Sequence, residues 1–238
     1  MRPVKILVYG HYGSGKTTFV GGVADVPELS PAILLVAEDG TESIESKIGN
    51  GITLSPRIRT YANAVAYVNQ AVLSKDYKTV IFDSATAMLQ ILLEEACDRN
   101  DHQAPTWQEW NEANFQMQRL FRALYASDKN IIVTSLARSF NPKSRAGANS
   151  NAPHTHCGLD VNPTSSRRLL EFTSYAWSIH RKDENSNTRV LLTQPKKLRD
   201  GLTWEAKTRS EVAIPPIIEN PSIPELFNTY IKKAESNT

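Results

Sequence analysis

An α/β fold with a mostly parallel central sheet flanked by helices is the class that this 238-residue sequence predicts. Three observations lead there. Short, nearly continuous apolar runs alternate with helical patterns, as parallel strands covered on both faces require. Two of the runs end in carboxylates, at Glu38 and Asp83. The first run, Val4-Lys5-Ile6-Leu7-Val8, opens into Gly10-His11-Tyr12-Gly13-Ser14-Gly15-Lys16-Thr17, the GxxxxGK[ST] pattern in full.

That first strand, 4–9, is followed by a turn that only glycines make easily. Gly10, Gly13 and Gly15 let the backbone curl with its N–H groups pointing inward, and the helix that follows adds its own free donors. The product is a nest for anions. Residues Gly10, His11, Tyr12, Gly13, Ser14, Gly15, Lys16, Thr17 and Thr18 are therefore the expected nucleotide site, with ATP and Mg²⁺ as cofactors. Lys16 is placed to reach the β and γ phosphates as a catalytic cation, and the Thr17 hydroxyl is short enough to sit on the metal.

The second strand, 32–37, ends at Glu38-Asp39-Gly40, and the third, 79–83, ends at Asp83-Ser84. Ligands of open α/β sheets gather beyond the carboxyl ends of the strands, so both acids are expected to face the crevice of the glycine turn. Asp83 has the form of the carboxylate that orients Mg²⁺ together with Thr17. Glu38 suits the general base that polarises the attacking water. Its structural alternative is a helix-capping acid near Thr41-Glu42-Ser43.

Residues 63–74 carry Val65, Val68 and Val72 on one helical face, and Met88, Leu89, Leu92 and Leu93 mark 86–99 as core. Trp107 and Trp110 precede a long helix at about 111–127; packing of that helix on the body is expected of them, with base stacking as the alternative. The strand 130–135 finishes in Thr134 and Ser135, candidate sensors of the γ phosphate.

From 137 to 163 hydrophobic periodicity lapses, and a flexible polar loop is expected. Ordering so long a segment is costly unless it has a task. Its bases Arg138, Lys143 and Arg145 suit a phosphate backbone and Phe140 supplies a stacking surface, which together fit single-stranded DNA. A disordered insertion or a lid over the nucleotide remains open. A helix at 165–172, a strand at 175–180 and a ribbon of 188–193 with 203–208 follow. Lys207 and Arg209 then form a cation pair at the sheet rim, suited to ATP at a subunit boundary, to nucleic acid, or to plain solubility. The chain is expected to be one domain with a strand and helix extension at 203–238.

Net charge is +2, but it is segregated. Residues 25–45 hold six acids and no Lys or Arg, whereas 129–159 hold four bases and no acid. Such polarity points to a local anionic partner. Cys97 and Cys157 make no disulfide framework, and Cys97, His102, His154, His156 and Cys157 match no familiar zinc spacing. No apolar run nears the ~18 residues that cross a bilayer, and Met1-Arg2-Pro3 leads straight into a strand, so a cytoplasmic protein without membrane contact is expected.

The order of these parts resembles the RecA-like P-loop ATPases. The resemblance spans about residues 3–215 and rests on GHYGSGKT (10–17), AED (37–39), VIFDS (80–84), IIVTS (131–135), SSRRLLEFTSYAWSIHRK (165–182) and EAKTRSEVAIPP (205–216). It implies phosphate and Mg²⁺ binding by Lys16 and Thr17, water activation by Glu38, metal support by Asp83, DNA binding near 138–163, and contacts from Lys207 and Arg209 to ATP across subunits of a ring or filament. Where the superfamily's sensor glutamine is usual, Ser135-Leu136-Ala137 stands. Within that superfamily the short core is similar to the phage-encoded Sak4-type single-strand annealing proteins. That likeness implies recombination, annealing of single-stranded DNA and cooperation with a single-stranded-DNA-binding protein. Two other functions stay open: a RecA-like switch or motor accessory acting through protein contacts, and a small-molecule phosphotransferase.

Overall fold

The computed structural model describes residues 2–141, 153–183, 186–210 and 212–233. Lys143 and Arg145 lie outside the described residues. Strand β1 (Lys5–Gly10) enters the glycine turn and helix α1 (Lys16–Gly21), which tightens into a 3₁₀ turn at Gly22–Asp25. Strands β2 (Ala32–Val36) and β3 (Ile52–Leu54) are followed by helix α2 (Tyr61–Leu73). Strand β4 (Thr79–Asp83) then delivers the chain to the long helices α3 (Ala85–Asn100) and α4 (Trp107–Ala126). Strand β5 (Asn130–Phe140), strand β6 (His156–Leu159) and helix α5 (Pro163–Phe172) lead into β7 (Tyr175–Arg181) and β8 (Arg189–Leu192). The short strands β9 (Lys196–Lys197), β10 (Thr203–Trp204), β11 (Lys207–Thr208) and β12 (Ile217–Glu219) precede a terminal turn of helix, α6 (Ile223–Leu226).

The sheet runs β12-β8-β7-β1-β5-β4-β2-β3. From β3 across to β7 every neighbouring pair is parallel, and β8 and β12 add an antiparallel edge. The α/β class with a mostly parallel sheet is thus as the sequence predicts. Parallel strands all finish at one edge, so β1, β2, β4 and β5 bring their carboxyl ends side by side. Alternation divides their side chains between two cores. Leu7, Tyr9, Leu35, Phe82 and Val133 pack on one face with α2 to α5, whereas Ile6, Val8, Leu34, Ile81 and Ile132 pack on the other with Phe19, Val20 and the α6 residues Ile223 and Leu226.

Three sequence expectations need correction. The segment 137–163 is not one loop. Strand β5 continues to Phe140, β6 returns antiparallel to it (Ala137↔Leu159 to Phe140↔His156), and α5 begins at Pro163. Residues 137–140 and 156–159 pair their backbones in a ribbon rather than leaving them to water. The stretch 203–208 is likewise two strands: β10 joins β6 and β9, and β11 joins β7. Finally, α4 begins at Trp107, because Thr106 and Glu109 form a capping box there, and Trp107 is 81% exposed instead of packed on the body.

Candidate nucleotide site

The glycine turn is shaped by what lies beside it. A Cβ at Gly10 would stand 2.3 Å from the Ile179 carbonyl oxygen of β7, so no larger residue fits. Gly13 and Gly15 have φ of 65° and 94°, in the left-handed region that glycine enters without strain. Within the turn, Ser14 N–H donates to His11 O at 3.2 Å. Lys16 is buried, and its ammonium donates to the carbonyl oxygens of Gly10 (3.1 Å) and His11 (3.0 Å). Burial lowers its pKa, while Glu38 and Asp83 pull the other way. The Ser14 hydroxyl is buried without a hydrogen-bond partner among the described residues. An orphaned donor, a buried ammonium and a cradle that a Cβ would fill together suit a ligand made of acceptor oxygens, as a phosphate is.

Beyond the sheet edge, Asp83 bridges two elements. Its Oδ2 accepts from Thr17 Oγ1 of α1 at 3.0 Å, and its Oδ1 accepts from Thr134 Oγ1 of β5. Glu38, two residues past β2, is half-buried near Asp83, Ser84 and Lys16. Burial and then the Asp83 carboxylate raise its pKa, against the Ser84 hydrogen bond and the Lys16 charge. The structure therefore brings Lys16, Thr17, Glu38, Asp83 and Thr134 into one neighbourhood. Ser135 is not among them. Strand alternation turns it to the other face, where its Oγ lies 3.0 Å from Thr86 Oγ1 and donates to Leu136 O.

A family model described as AAA domain matches residues 2–210. The chain belongs to that family. An AAA domain is a P-loop ATPase domain, and it implies a nucleotide, typically with Mg²⁺. Among solved structures, that of the RadB recombinase is similar at 15% identity and a TM-score of 0.45, covering 80% of each chain. No curated protein matches.

Other residues singled out in the sequence of this AAA domain lie away from the cluster. Tyr12 and Thr18 are exposed at its rim, and His11 meets the edge of the Trp204 ring at 5.2 Å. Arg138 and Phe140 sit half-buried on the ribbon, Phe140 beside the His156 ring at 5.9 Å. Lys207 is not a free cation. Its ammonium donates to Leu170 O and Thr173 O at the C-terminal end of α5, and burial followed by Arg209 lowers its pKa. Lys207 pairs with Ala176, which is level with Leu7 of β1, so it stands below the glycine turn of its own chain. Arg209 follows in the same direction, with its backbone N–H on Ser174 O and its side chain exposed.

Sequence reasoning missed the β7–β8 hairpin. Arg181 Nε lies 3.4 Å from Gly13 O, and the Arg189 side chain crosses Gly15. The basic residues Arg181 and Arg189, one on each side of the connection between the two strands, were the available signal. Behind it, Trp204 gathers Tyr9, His11 and His180, whose ring centroids lie 5.9, 5.2 and 4.0 Å from its own. Burial, then the nearby His11, holds His180 down at about 4, which leaves it neutral near pH 7.

Proposed function

We propose that this chain binds and hydrolyses ATP at the glycine turn and uses that cycle to control its grip on single-stranded DNA. The observation that carries the first half is the Asp83 carboxylate held between the Thr17 and Thr134 hydroxyls, with Glu38 and Lys16 beside it. Residues Gly10 to Thr18 would hold the triphosphate, and Thr17 with Asp83 would hold Mg²⁺, which supplies neutralising charge to the phosphate oxygens when bound. Glu38 takes the proton of the attacking water, a task for which its raised pKa is suited. Lys16 leaves the Gly10 and His11 carbonyls to meet phosphate oxygens. Thr134 bonds the same carboxylate from the next strand, so β5 is tied to the state of the site.

The second half rests on what β5 carries onward. The strand runs from Thr134 to Arg138 and Phe140, in the stretch 129–159 that has bases but no acid. Those two side chains, with Lys143 and Arg145, are proposed to take the DNA backbone and stack bases with little sequence preference. An oligomer, a role in recombination of the annealing kind, and cooperation with a single-stranded-DNA-binding protein, as in the Sak4-type proteins of phages, complete the reading. A cytoplasmic location belongs to it. In a ring or filament Arg209 would be the cation facing a neighbour's ATP, Lys207 being engaged within its own chain.

The deciding experiment measures ATP turnover and particle size with no nucleic acid, with single-stranded DNA and with duplex. Turnover stimulated by single strands, and lost when Arg138, Lys143 and Arg145 are neutralised, is expected. Stimulation that survives neutralisation moves the DNA site elsewhere, and turnover indifferent to any DNA leaves a switch that acts through proteins. Annealing is assayed separately, with and without ATP.

A further inference from the structure

Two guanidinium groups flank the glycine turn, and the chemistry described above uses neither. In the antiparallel β7–β8 pair, Arg181 and Arg189 stand directly opposite one another. Arg181 donates through Nε to Gly13 O at 3.4 Å, and its Nη2 lies 3.4 Å from the point that a Cβ on Gly13 would occupy. Arg189 lies across the other side of the turn, with Nε 3.1 Å and Cδ 3.5 Å from the corresponding point on Gly15. The glycines at 13 and 15 thus leave room for the arginines as well as permitting the turn.

This placement is costly as it stands. Like charges directly opposite on paired strands repel, and Lys16 adds a further positive charge to the same turn. Among the described residues neither arginine is ion-paired, whereas Lys182 next to Arg181 takes Glu219 at 2.7 Å. The hydrogen bond from Arg189 Nη1 to Asn187 O at 3.3 Å satisfies a donor without cancelling charge. Cations with no carboxylate paired to them among the described residues are balanced when an anion of several charges enters between them.

We propose that Arg181 and Arg189 form a clamp, supplied by the same chain, on the phosphates of the bound nucleoside triphosphate. The inference rests on the nucleotide reading above and names further residues of that site. A guanidinium presents paired N–H donors that match phosphate oxygens, and its charge persists at any working pH. The clamp supplies within one subunit the cationic stabilisation that phosphoryl transfer requires, where an oligomer would bring it from a neighbour. It also makes affinity depend on the number of phosphates.

The test compares the full chain with Arg181→Gln, Arg189→Gln, Arg181→Lys, Arg189→Lys and Lys16→Ala. Fluorescence titrations measure binding of a fluorescent ATP, a fluorescent ADP, inorganic tripolyphosphate and a single-stranded oligonucleotide, with melting followed in nucleotide-free buffer. Each Gln variant is expected to lose about tenfold or more in affinity for the triphosphates, with less loss for ADP and part of the loss restored by Lys. Without nucleotide each is expected to melt no lower than the parent, because a repulsive pair is gone. Triphosphate affinity unchanged in both Gln variants overturns the clamp, and so does loss confined to the oligonucleotide, which assigns the arginines to nucleic-acid phosphates. If the parent chain itself takes up no nucleotide, the reading of the site fails, whereas uptake lost in Lys16→Ala alone removes only the clamp.

Discussion

At Glu38, burial and the neighbouring Asp83 carboxylate hold a proton more tightly than the ordinary glutamate value of 4.5 allows. Between 4.5 and the raised value the folded chain binds more protons than the unfolded one, so stability falls as pH rises through that window. Glu38→Gln removes the buried charge. Its nucleotide-free form is expected to melt above the parent at pH 7, with the advantage gone below about pH 4.5. The same variant is expected to bind ATP but to hydrolyse it about a hundredfold more slowly or worse, and Lys16→Ala to lose binding. Equal turnover by Glu38→Gln and the parent would remove the base assignment. Tyr125 offers a simpler case. Its hydroxyl is buried with no hydrogen-bond partner among the described residues, and burial raises its pKa well above the usual value. Tyr125→Phe discards an unsatisfied donor and is expected to stabilise the fold by about 1 kcal/mol in urea melts; a clear loss would mean that the hydroxyl has a partner in solution.

Among the elements, α4 shows how a helix start fixes local stability. Glu109 is wholly buried and accepts from Thr106, Asn100 and His102. The Thr106 hydrogen bond above all holds its carboxyl down at about 2, against the effect of burial. A depressed folded pKa contributes stability that is present above the ordinary value and lost as pH falls toward 2. Glu109→Gln should therefore melt lower than the parent at pH 7, with the gap closing in acid; a gap independent of pH would assign the loss to packing.

The sequence revealed those elements whose signal is local, and concealed those that depend on distant partners. Strands β1, β2, β4 and β5 are nearly continuous apolar runs, and the glycine motif with Glu38 and Asp83 at strand ends pointed to the candidate site. Strands β6 and β9 escaped because each is only a few residues long, and β6 pairs far along the chain, as His156 does with Thr203. Thr134 and Ser135 were indistinguishable as sensors until strand parity separated their faces. Lys207 read as a free cation because nothing local announces that the α5 carbonyls will receive it.

For the molecule as a whole, the parallel sheet brings the candidate nucleotide site to one edge, and β5 carries its chain onward into the ribbon that holds Arg138. Along the chain, acids concentrate at 25–45 and bases at 129–159. Binding of single-stranded DNA is expected to weaken steeply with salt, with a log–log slope that falls by about one for each ribbon cation removed. A slope untouched by Arg138→Ala would take that side chain out of the interface. Trp204 gives this chemistry an optical consequence. Its indole is buried, donates to Asp200 at 2.8 Å, and stands at right angles to the ring of His11, whose carbonyl holds the Lys16 ammonium. When Lys16 turns to a ligand, the hydrogen bonding of His11 changes beside a fluorophore, so the chain carries its own dye. In a Trp107→Phe background, which removes the most solvent-exposed emitter, the intensity or colour of the remaining emission becomes a label-free meter of occupancy.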